Sequence, residues 1–509
     1  MMKEQVNKIV RWYLQQRMGR IEKFIKNPHS VQTQVLKDLV AATKHTNWGR
    51  QFGYRHIQSA KDFAQQVPIS SYDDLKPYIQ RMMRGEKDVL WSGQVKWFSK
   101  SSGTTSDKSK FIPVTDRNLF SNHIRGNWDT MSMLYQNKPD ARVFADKNLL
   151  LVGSLTPFDE YPKTTIGDIS AIMAHRMPAI GRPFYAPDFK TGLMPEWEEK
   201  IERTVQLTKD DKDLYMIAGV PTWNIVLFRR LLEVTGKEHI LEVWPKLSVY
   251  VHGGVGFAPY KEQFKQFLPK DDFVYMEAYN ASEGFFATKQ FVGDDDLLLL
   301  LNNGVYYEFL PMEEWDSDSP KAISLEAVEL GKSYAMLIST NAGLWRYKIG
   351  DTVTFTSKYP YKIKITGRTK QFINAFGEEV MVENTDKAVA RTCDETRSIV
   401  SEYTVAPIYF TKTGKGGHQW LVEFEKAPQN VLDFAKRLDK NLQQINGDYE
   451  AKRYKGLALE QLRLSVLPKG TFHNWMRARG KFGVQNKIPR LANHRQYLEE
   501  ILQMTKENV

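Results

Sequence analysis

Residues Ser99 to Pro113 read SKSSGTTSDKSKFIP, directly after the aromatic, strand-like run Trp97-Phe98. Hydroxyl side chains crowd around Gly103, and Lys108 and Lys110 follow. Hydroxyls, backbone N–H groups in a turn and flexible lysines are what a loop needs to hold polyphosphate. The segment is not a Walker A loop, because G-x-x-x-x-G-K-[ST] is absent. Read alone, it is also a solvated Ser/Thr turn.

Three later segments raise the same question. Tyr279-Asn280-Ala281-Ser282-Glu283 follows the strand-like run Phe273–Ala278. A hydroxyl beside a carboxylate at a strand end can serve a phosphate and its Mg²⁺, since hard oxygen ligands suit that ion; Ser and Glu also cap helices. Tyr347-Lys348-Ile349-Gly350-Asp351 puts an acid behind a glycine, able to accept hydrogen bonds from ribose hydroxyls, or else to make an ordinary Gly-Asp turn. Gly367-Arg368 joins a permissive backbone position to a planar donor.

The surrounding pattern implies an α/β fold. In the first fifty residues Val6, Ile9, Val10, Tyr13 and Leu14, then Val31, Val35, Leu36, Leu39 and Val40, repeat at helical spacing. Asn148–Gly153, Lys246–His252, Asp272–Ala278 and Tyr334–Ser339 read as buried strands, with helical windows at Asp213–Val234 and Pro259–Phe267 between them. Leu297–Leu301, Asn302-Asn303-Gly304 and Val305–Leu310 predict a β-hairpin. Strands alternating with helices place functional sites at strand C-terminal ends. Near residue 366 the pattern restarts as a smaller α+β unit: helix Glu383–Arg391, strand Glu402–Thr411, loop Thr413–Gly417, strand His418–Phe424 and a helix from Asn430. No Ser-, Gly- or Pro-rich linker separates the two, so the expected units, 1–366 and 367–509, meet at a hinge near Gly367-Arg368.

Composition limits the classes. The 509 residues are 42% hydrophobic and 26% charged, which excludes disorder or low complexity as the main architecture. The single cysteine, Cys393, excludes an intramolecular disulfide and any multi-cysteine metal centre. The N-terminal twenty residues carry charges throughout, and the most apolar run is five leucines, so neither a signal peptide nor a membrane span is expected and the chain reads as cytoplasmic. No H-x-x-x-H, H-x-H or G-x-S-x-G occurs, which disfavours metal hydrolysis and a nucleophile-elbow hydrolase. The net charge of +11 is concentrated in residues 451–490, with ten Lys/Arg against Glu460 alone. That stretch suits a polyanionic partner or simply a solvated basic face.

The order and spacing of the motifs carry more than any one of them. A Ser/Thr/Gly loop near 101, Gly253-Gly254 after a strand, YNASE at 279, Gly-Asp at 350 and Gly-Arg at 367 resemble the motif set of the adenylate-forming superfamily, which includes acyl-CoA synthetases and luciferases. The loop form, Tyr-x-x-Ser-Glu at Tyr279–Glu283, a variant of Tyr-Arg-x-Gly-Asp at Tyr347–Asp351, and the tail Gly470-Thr471-Phe472 through Gln485-Asn486-Lys487-Ile488-Pro489-Arg490 are similar to the auxin-responsive Gretchen Hagen family of acyl acid amido synthetases. The chain departs from that pattern at Asp107, where the family has Gly, at Lys348, where it has Arg, and before Lys487, where the superfamily's Ser/Thr-Gly pair is missing.

The resemblance implies a large N-terminal adenylate-forming domain of layered sheets and helices and a small mobile α+β C-terminal domain. It implies that Ser101, Ser102, Gly103, Thr104 and Thr105 form the phosphate loop. Gly253 and Gly254 would let backbone approach adenine, Val255 would flank it and Tyr279 would stack on it. Ser282 would contact the α-phosphate, Glu283 would hold Mg²⁺, and Asp351, assisted by Arg368, would bind the ribose. Lys487 would bridge carboxylate and α-phosphate. Gly219, Val220, Pro221 and Trp223, in a segment like the family's Gly-x-Pro-Ser-Trp, would line or shape the acyl site, although Trp223 also reads as core.

The implied reaction uses ATP and Mg²⁺ to turn a carboxylic acid into acyl-AMP with release of pyrophosphate, then passes the acyl group to an amine, expected to be an amino acid. The alternatives are an acyl-CoA ligase, in which CoA thiol attacks instead, and a basic nucleic-acid-binding protein. Interruption of the basic stretch by Leu462, Leu464 and Val466 speaks against nucleic acid.

Overall fold

The computed structural model describes residues 2–101, 110–156, 160–162, 164–254, 257, 260–315, 317, 319–368, 372–378, 380–409, 416–453, 459–479 and 488–507. Its centre is a twelve-stranded mixed sheet. On one side the strands Tyr185–Ala186, Lys147–Leu150, Leu214–Ala218, Val249–His252 and Val274–Ala281 lie next to one another and run parallel. At Val274–Ala281 the sheet changes sense, pairing antiparallel with Gly284–Thr288 and continuing through Leu297–Leu299, Tyr361–Arg368, Tyr347–Lys358, Ser333–Thr340, Val305–Pro311 and Ile323–Ser324. A second sheet of four strands contains Trp97–Ser101 paired antiparallel with Lys110–Val114.

Two local expectations are corrected. Within Asp213–Val234 only Pro221–Thr235 is helical; Leu214–Ala218 is a strand between Lys147–Leu150 and Val249–His252. Its first four residues are all buried, and a short run buried on both faces cannot be told from a buried helical turn by periodicity. Pro221 then supplies the fixed φ and missing N–H suited to a first helical position. The hairpin at 297–310 does not form either. Leu297–Leu299 pairs with Gly284–Thr288 and Tyr361–Arg368, whereas Val305–Pro311 pairs with Ser333–Thr340. The side chain of Gln32 donates to the carbonyls of Leu301 and Val305, at 2.8 and 2.9 Å, satisfying backbone that a hairpin ladder would have paired.

The N-terminal helices Met2–Lys26 and Pro28–Thr43 form as their spacing predicts. The buried stripe of the first is Val10, Leu14, Arg17, Ile21 and Phe24, while Ile9 and Tyr13 face solvent. Arg17 belongs to the stripe because its Nε donates to the buried Asp129 at 2.7 Å.

Beyond Tyr361–Arg368 a separate three-stranded sheet contains Ile399–Ile408, Gly417–Lys426 and Arg463–Leu467. The helices Val382–Thr396 and Val431–Ile445 contribute to its own core around Trp420, Phe434 and Leu438. Asn430 caps the second helix, its side chain accepting from the Asp433 N–H. Tyr409 packs edge-on against Tyr260 of the larger part, with ring centroids 6.2 Å apart. Among the described residues no helix is long and apolar enough to cross a membrane.

Candidate active site

The site residues gather where the parallel strands end and where parallel pairing gives way to antiparallel. Gly219 follows Leu214–Ala218, Gly253 and Gly254 follow Val249–His252, and Ser282-Glu283 is the two-residue turn joining Val274–Ala281 to Gly284–Thr288. Gly253 is required by close approach, because a Cβ there would sit 2.3 Å from the Ala278 carbonyl oxygen.

The strand Trp97–Ser101 delivers Ser101 to this edge. Buried Ser99 donates its hydroxyl to Ser282 Oγ at 3.0 Å, tying the first motif to the second. Tyr72 completes the cluster: its hydroxyl accepts from the Phe111 N–H at 2.8 Å, and Lys110 Nζ lies 5.6 Å from its ring centroid. Burial raises the Tyr72 phenol above its ordinary pKa, and the charges of Asp73 and Glu283 add to that. Tyr72 is the first residue of a helix started by a Ser71/Asp74 capping box. Glu283 is only 7% exposed, a carboxylate held at the tip of the turn.

Asp351 arrives by a different device. Tyr347–Asp351 is not a turn after a strand but the beginning of the strand Tyr347–Lys358, interrupted by a bulge. Ala335 pairs with Thr352 and Leu337 with Lys348, so Ile349-Gly350-Asp351 oppose the single residue Met336. Gly350 takes φ +93°, which an L side chain resists, and the bulge re-aims Asp351. The Tyr279 hydroxyl donates to Asp351 Oδ2 at 2.5 Å, joining the second motif to the third; both residues are buried. The Tyr279 ring packs on Phe286 with centroids 5.0 Å apart. In strand register Asp351 faces Arg368. Lys348 points elsewhere, its Nζ donating to the Trp315 carbonyl at 3.1 Å.

Beside these groups lies a cavity of about 410 Å³ with predominantly apolar walls. Gly219, Val220, Trp223, Gly253 and Gly254 line it, together with Met131, Phe144, Met173 and Ile180. Pro221 does not line it; it is buried at the start of the helix that carries Trp223. Polar groups in the lining are few. Asn280 presents one, fixed by His123 Nδ1 at 3.1 Å. His123 ends a five-residue π-helical segment, Leu119–His123. His252 supplies another, with neither ring nitrogen bonded to a described residue. Lys200, 2% exposed, donates to the carbonyls of Val152 and Gly153 at 2.9 and 3.0 Å and so fixes one wall; burial lowers its ammonium to about 8.

Sequence reasoning missed Ser99, Tyr72, His123, His252 and Lys200. Only His252, directly before Gly253-Gly254, and Ser99, inside the quoted loop, had a local signal. Ser102, Gly103, Thr104, Thr105, Val255 and Lys487 lie outside the described residues, as does the side chain of Arg368. Among the described residues of the basic stretch, Arg453 pairs with Asp439, Arg463 with Glu460, Lys469 with Glu425, Arg479 with Glu500 and Arg490 with Asp386.

The two histidines give a pH prediction. Burial pushes His123 down to about 4 and His252 to about 3, the latter helped by the charge of Lys289. Below pH ~6.5 the unfolded chain takes up protons that the folded chain refuses, so stability is full above that pH and falls with acidification, by up to roughly 1.4 kcal/mol per pH unit per histidine. The thermal midpoint is therefore expected to drop between pH 6.5 and 5. A His123→Gln/His252→Gln variant should show a flatter profile there; parallel profiles would refute the assignment.

Family models match the chain in three consecutive parts: the GH3 family N-terminal domain over residues 17–200 and 154–273, the central domain over 298–368 and the C-terminal domain over 383–496. The chain belongs to the GH3 family. Among GH3 relatives, the indole-3-acetic acid-amido synthetase GH3.3 of Arabidopsis thaliana is 23% identical, over 94% of this chain and 92% of the relative. The jasmonoyl-L-amino acid synthetase JAR4 of Nicotiana attenuata is 21% identical, over 93% and 92%. The solved GH3.15 acyl acid amido synthetase superposes with a TM-score of 0.61 at 16% identity, covering 96% of each chain. A 2-hydroxyisobutyryl-CoA ligase superposes with 0.57 at 13% identity, covering 95% of this chain and 92% of that one. The GH3 fold is thus shared with a ligase that carries CoA in its complex, and fold alone does not choose between amine and thiol.

Proposed function

We propose that this chain is an acyl acid amido synthetase: it activates a carboxylic acid with ATP and transfers the acyl group to an amine, an amino acid, forming an amide. The observation that carries this reading is a mostly apolar cavity sharing Ala278 and Asn280 with the strand that leads into Ser282-Glu283, in a chain that aligns over nearly its whole length with an indole-3-acetic acid-amido synthetase and a jasmonoyl-L-amino acid synthetase.

In the first step the acid's carboxylate oxygen bonds to the α-phosphorus of ATP, the bond to pyrophosphate breaks, and acyl-AMP forms. Both reactants are anions, so the protein's contribution is placement and charge neutralisation. The apolar cavity holds the acid's body. Ser101 through Thr105 hold the phosphates, with Ser282 on the α-phosphate. Asp351, held by Tyr279 and assisted by Arg368, binds the ribose, and Gly253, Gly254, Val255 and Tyr279 bound the adenine. Among the described residues no three metal-ligating side chains cluster. The buried carboxylate of Glu283, completed by phosphate oxygens, would fit Mg²⁺, which is bound through one or two carboxylates plus substrate phosphates. When bound, that ion neutralises charge between carboxylate and phosphate. In the second step the amine nitrogen attacks the acyl carbon, AMP leaves and the nitrogen loses its proton.

Residues 1–366 and 367–509 serve as the substrate-binding and swinging domains, with the hinge at Gly367-Arg368 and Lys487 delivered by the smaller one for adenylation. The reading places the enzyme in the cytoplasm. ATP–pyrophosphate exchange that requires an added carboxylic acid is the expected activity; no exchange across a broad panel of aryl, indolyl and fatty acids would refute it.

A further inference from the structure

Lys452 lies in the basic stretch but has none of the carboxylate partners its neighbours have. It sits on the helix Gly447–Arg453, anchored through Asp439, which accepts from the Tyr449 hydroxyl at 2.7 Å and from the Arg453 guanidinium at 2.8 Å. From this base Lys452 reaches across to the larger part of the molecule. Its Nζ lies 4.9 Å from the Trp223 ring and 5.7 Å from the Trp197 ring, and the two indoles are 5.0 Å apart. Among the described residues no side chain forms an ion pair or hydrogen bond with it. Asp448, Glu378 and Asp168 act on it only at a distance, and burial lowers its pKa. Facing indoles offset part of the cost of desolvating an ammonium, but an unpaired, half-buried cation remains unfavourable.

Trp223 has its own unmet need: its Nε1–H is buried with no acceptor among the described residues. The two donors converge. Lys452 Nζ and Trp223 Nε1 each lie 3.9 Å from the point where a Cβ on Gly377 would stand. The turn around Gly377 is held by Glu378, which accepts from the Phe376 N–H at 2.6 Å and pairs with His418 Nε2 at 2.8 Å. One positive charge and one N–H within 3.9 Å of a common point, with no acceptor for either among the described residues, are the complement of a carboxylate.

Resting on the amide-forming reading above, we propose that Lys452, Trp223 and the space beside Gly377 form the recognition site for the carboxylate of the amine acceptor. The acceptor is then selected as an amino acid rather than as a simple amine. Trp223 also lines the acyl cavity. A carboxylate held on its Nε1 edge therefore leaves the amino group, two bonds from the carboxyl carbon, at the cavity wall where the acyl carbon would be presented. Lys452 is the group that makes this selection.

The test is steady-state amide formation with the best acceptor found among the twenty amino acids, compared with its decarboxylated amine. Wild type should favour the amino acid through KM. Lys452→Met should raise the amino-acid KM about 10- to 100-fold, the range of a charge-assisted hydrogen bond, and leave the KM of the decarboxylated amine where it was. Lys452→Arg should recover most of the loss. Trp223→Phe, which keeps an aromatic ring but removes the N–H, should shift the amino-acid KM in the same direction and gives an independent reading should Lys452→Met fail to fold. Equal changes for both acceptors, no change for either, or a wild type that accepts the amine as well as the amino acid would overturn the proposal. Wild-type exchange without any amide product would instead sink the amide-forming reading itself, and the proposal with it.

Discussion

Replacing Glu283 by Ala is expected to lower acid-dependent ATP–pyrophosphate exchange by about 10²–10³-fold, the scale on which a single preorganised charge-stabilising group acts. Glu283 stands at the tip of a two-residue turn, 7% exposed, next to a Ser282 hydroxyl that Ser99 fixes at 3.0 Å. Its carboxylate is the one the proposed reaction uses to hold Mg²⁺ against the phosphates. Glu283→Gln keeps the shape and removes the charge, so it should lose nearly as much. Because the turn itself is defined by backbone pairing of Ala281 with Gly284, the thermal midpoint of either variant should move little. Exchange within threefold of wild type in Glu283→Gln would remove this residue from the mechanism.

Breaking the buried pair Arg346–Glu308 is expected to cost about 3–5 kcal/mol of stability, the usual penalty for stranding one charge of a buried pair. The two side chains are each 6% exposed and meet in two hydrogen bonds of 2.9 Å, with the guanidinium also donating to the carbonyls of Ala64 and Val67. Arg346 is placed directly before the strand that carries Asp351, and its carbonyl accepts from Ser70 N–H while Ser70 accepts from Lys348 N–H. Those bonds tie the Asp351 strand to the helix of Tyr72, so the cost falls on the site as well as on the fold. Arg346→Met should lower the urea midpoint sharply, and Arg346→Met/Glu308→Leu should recover part of the loss because no charge is left unpaired. A single variant as stable as wild type would show that the pair is not structurally important.

The candidate motifs could be picked out because each is a contiguous run whose residue types suggest a chemistry: hydroxyls around Gly103, Ser282 beside Glu283, Gly350 before Asp351. The paired strands of the smaller unit and the helix beginning at Asn430 were legible for the same reason, as local patterns. What the sequence concealed is mostly partnership across distance. Nothing near Tyr72 announces that Phe111 will bond to it, and nothing near Arg17 announces Asp129. Leu214–Ala218 was hidden by burial on both faces, and the fate of the leucine run Leu297–Leu301 by a side chain, Gln32, more than 260 residues away that takes over the Leu301 carbonyl. The bulge at Gly350 was hidden too, since a glycine before an aspartate reads equally as a turn. Lys452 looked like one more cation in a basic tail, and only packing separates it from Arg453 beside it.

The most direct measurement supplies the enzyme with ATP, Mg²⁺, an acid that supports exchange, a mixture of amino acids and an equal concentration of CoA, and reads the products by mass spectrometry. The account predicts an acyl–amino acid amide together with AMP and pyrophosphate, and no thioester. Acyl-CoA formed without amide would contradict it and make this chain a CoA ligase on the same fold.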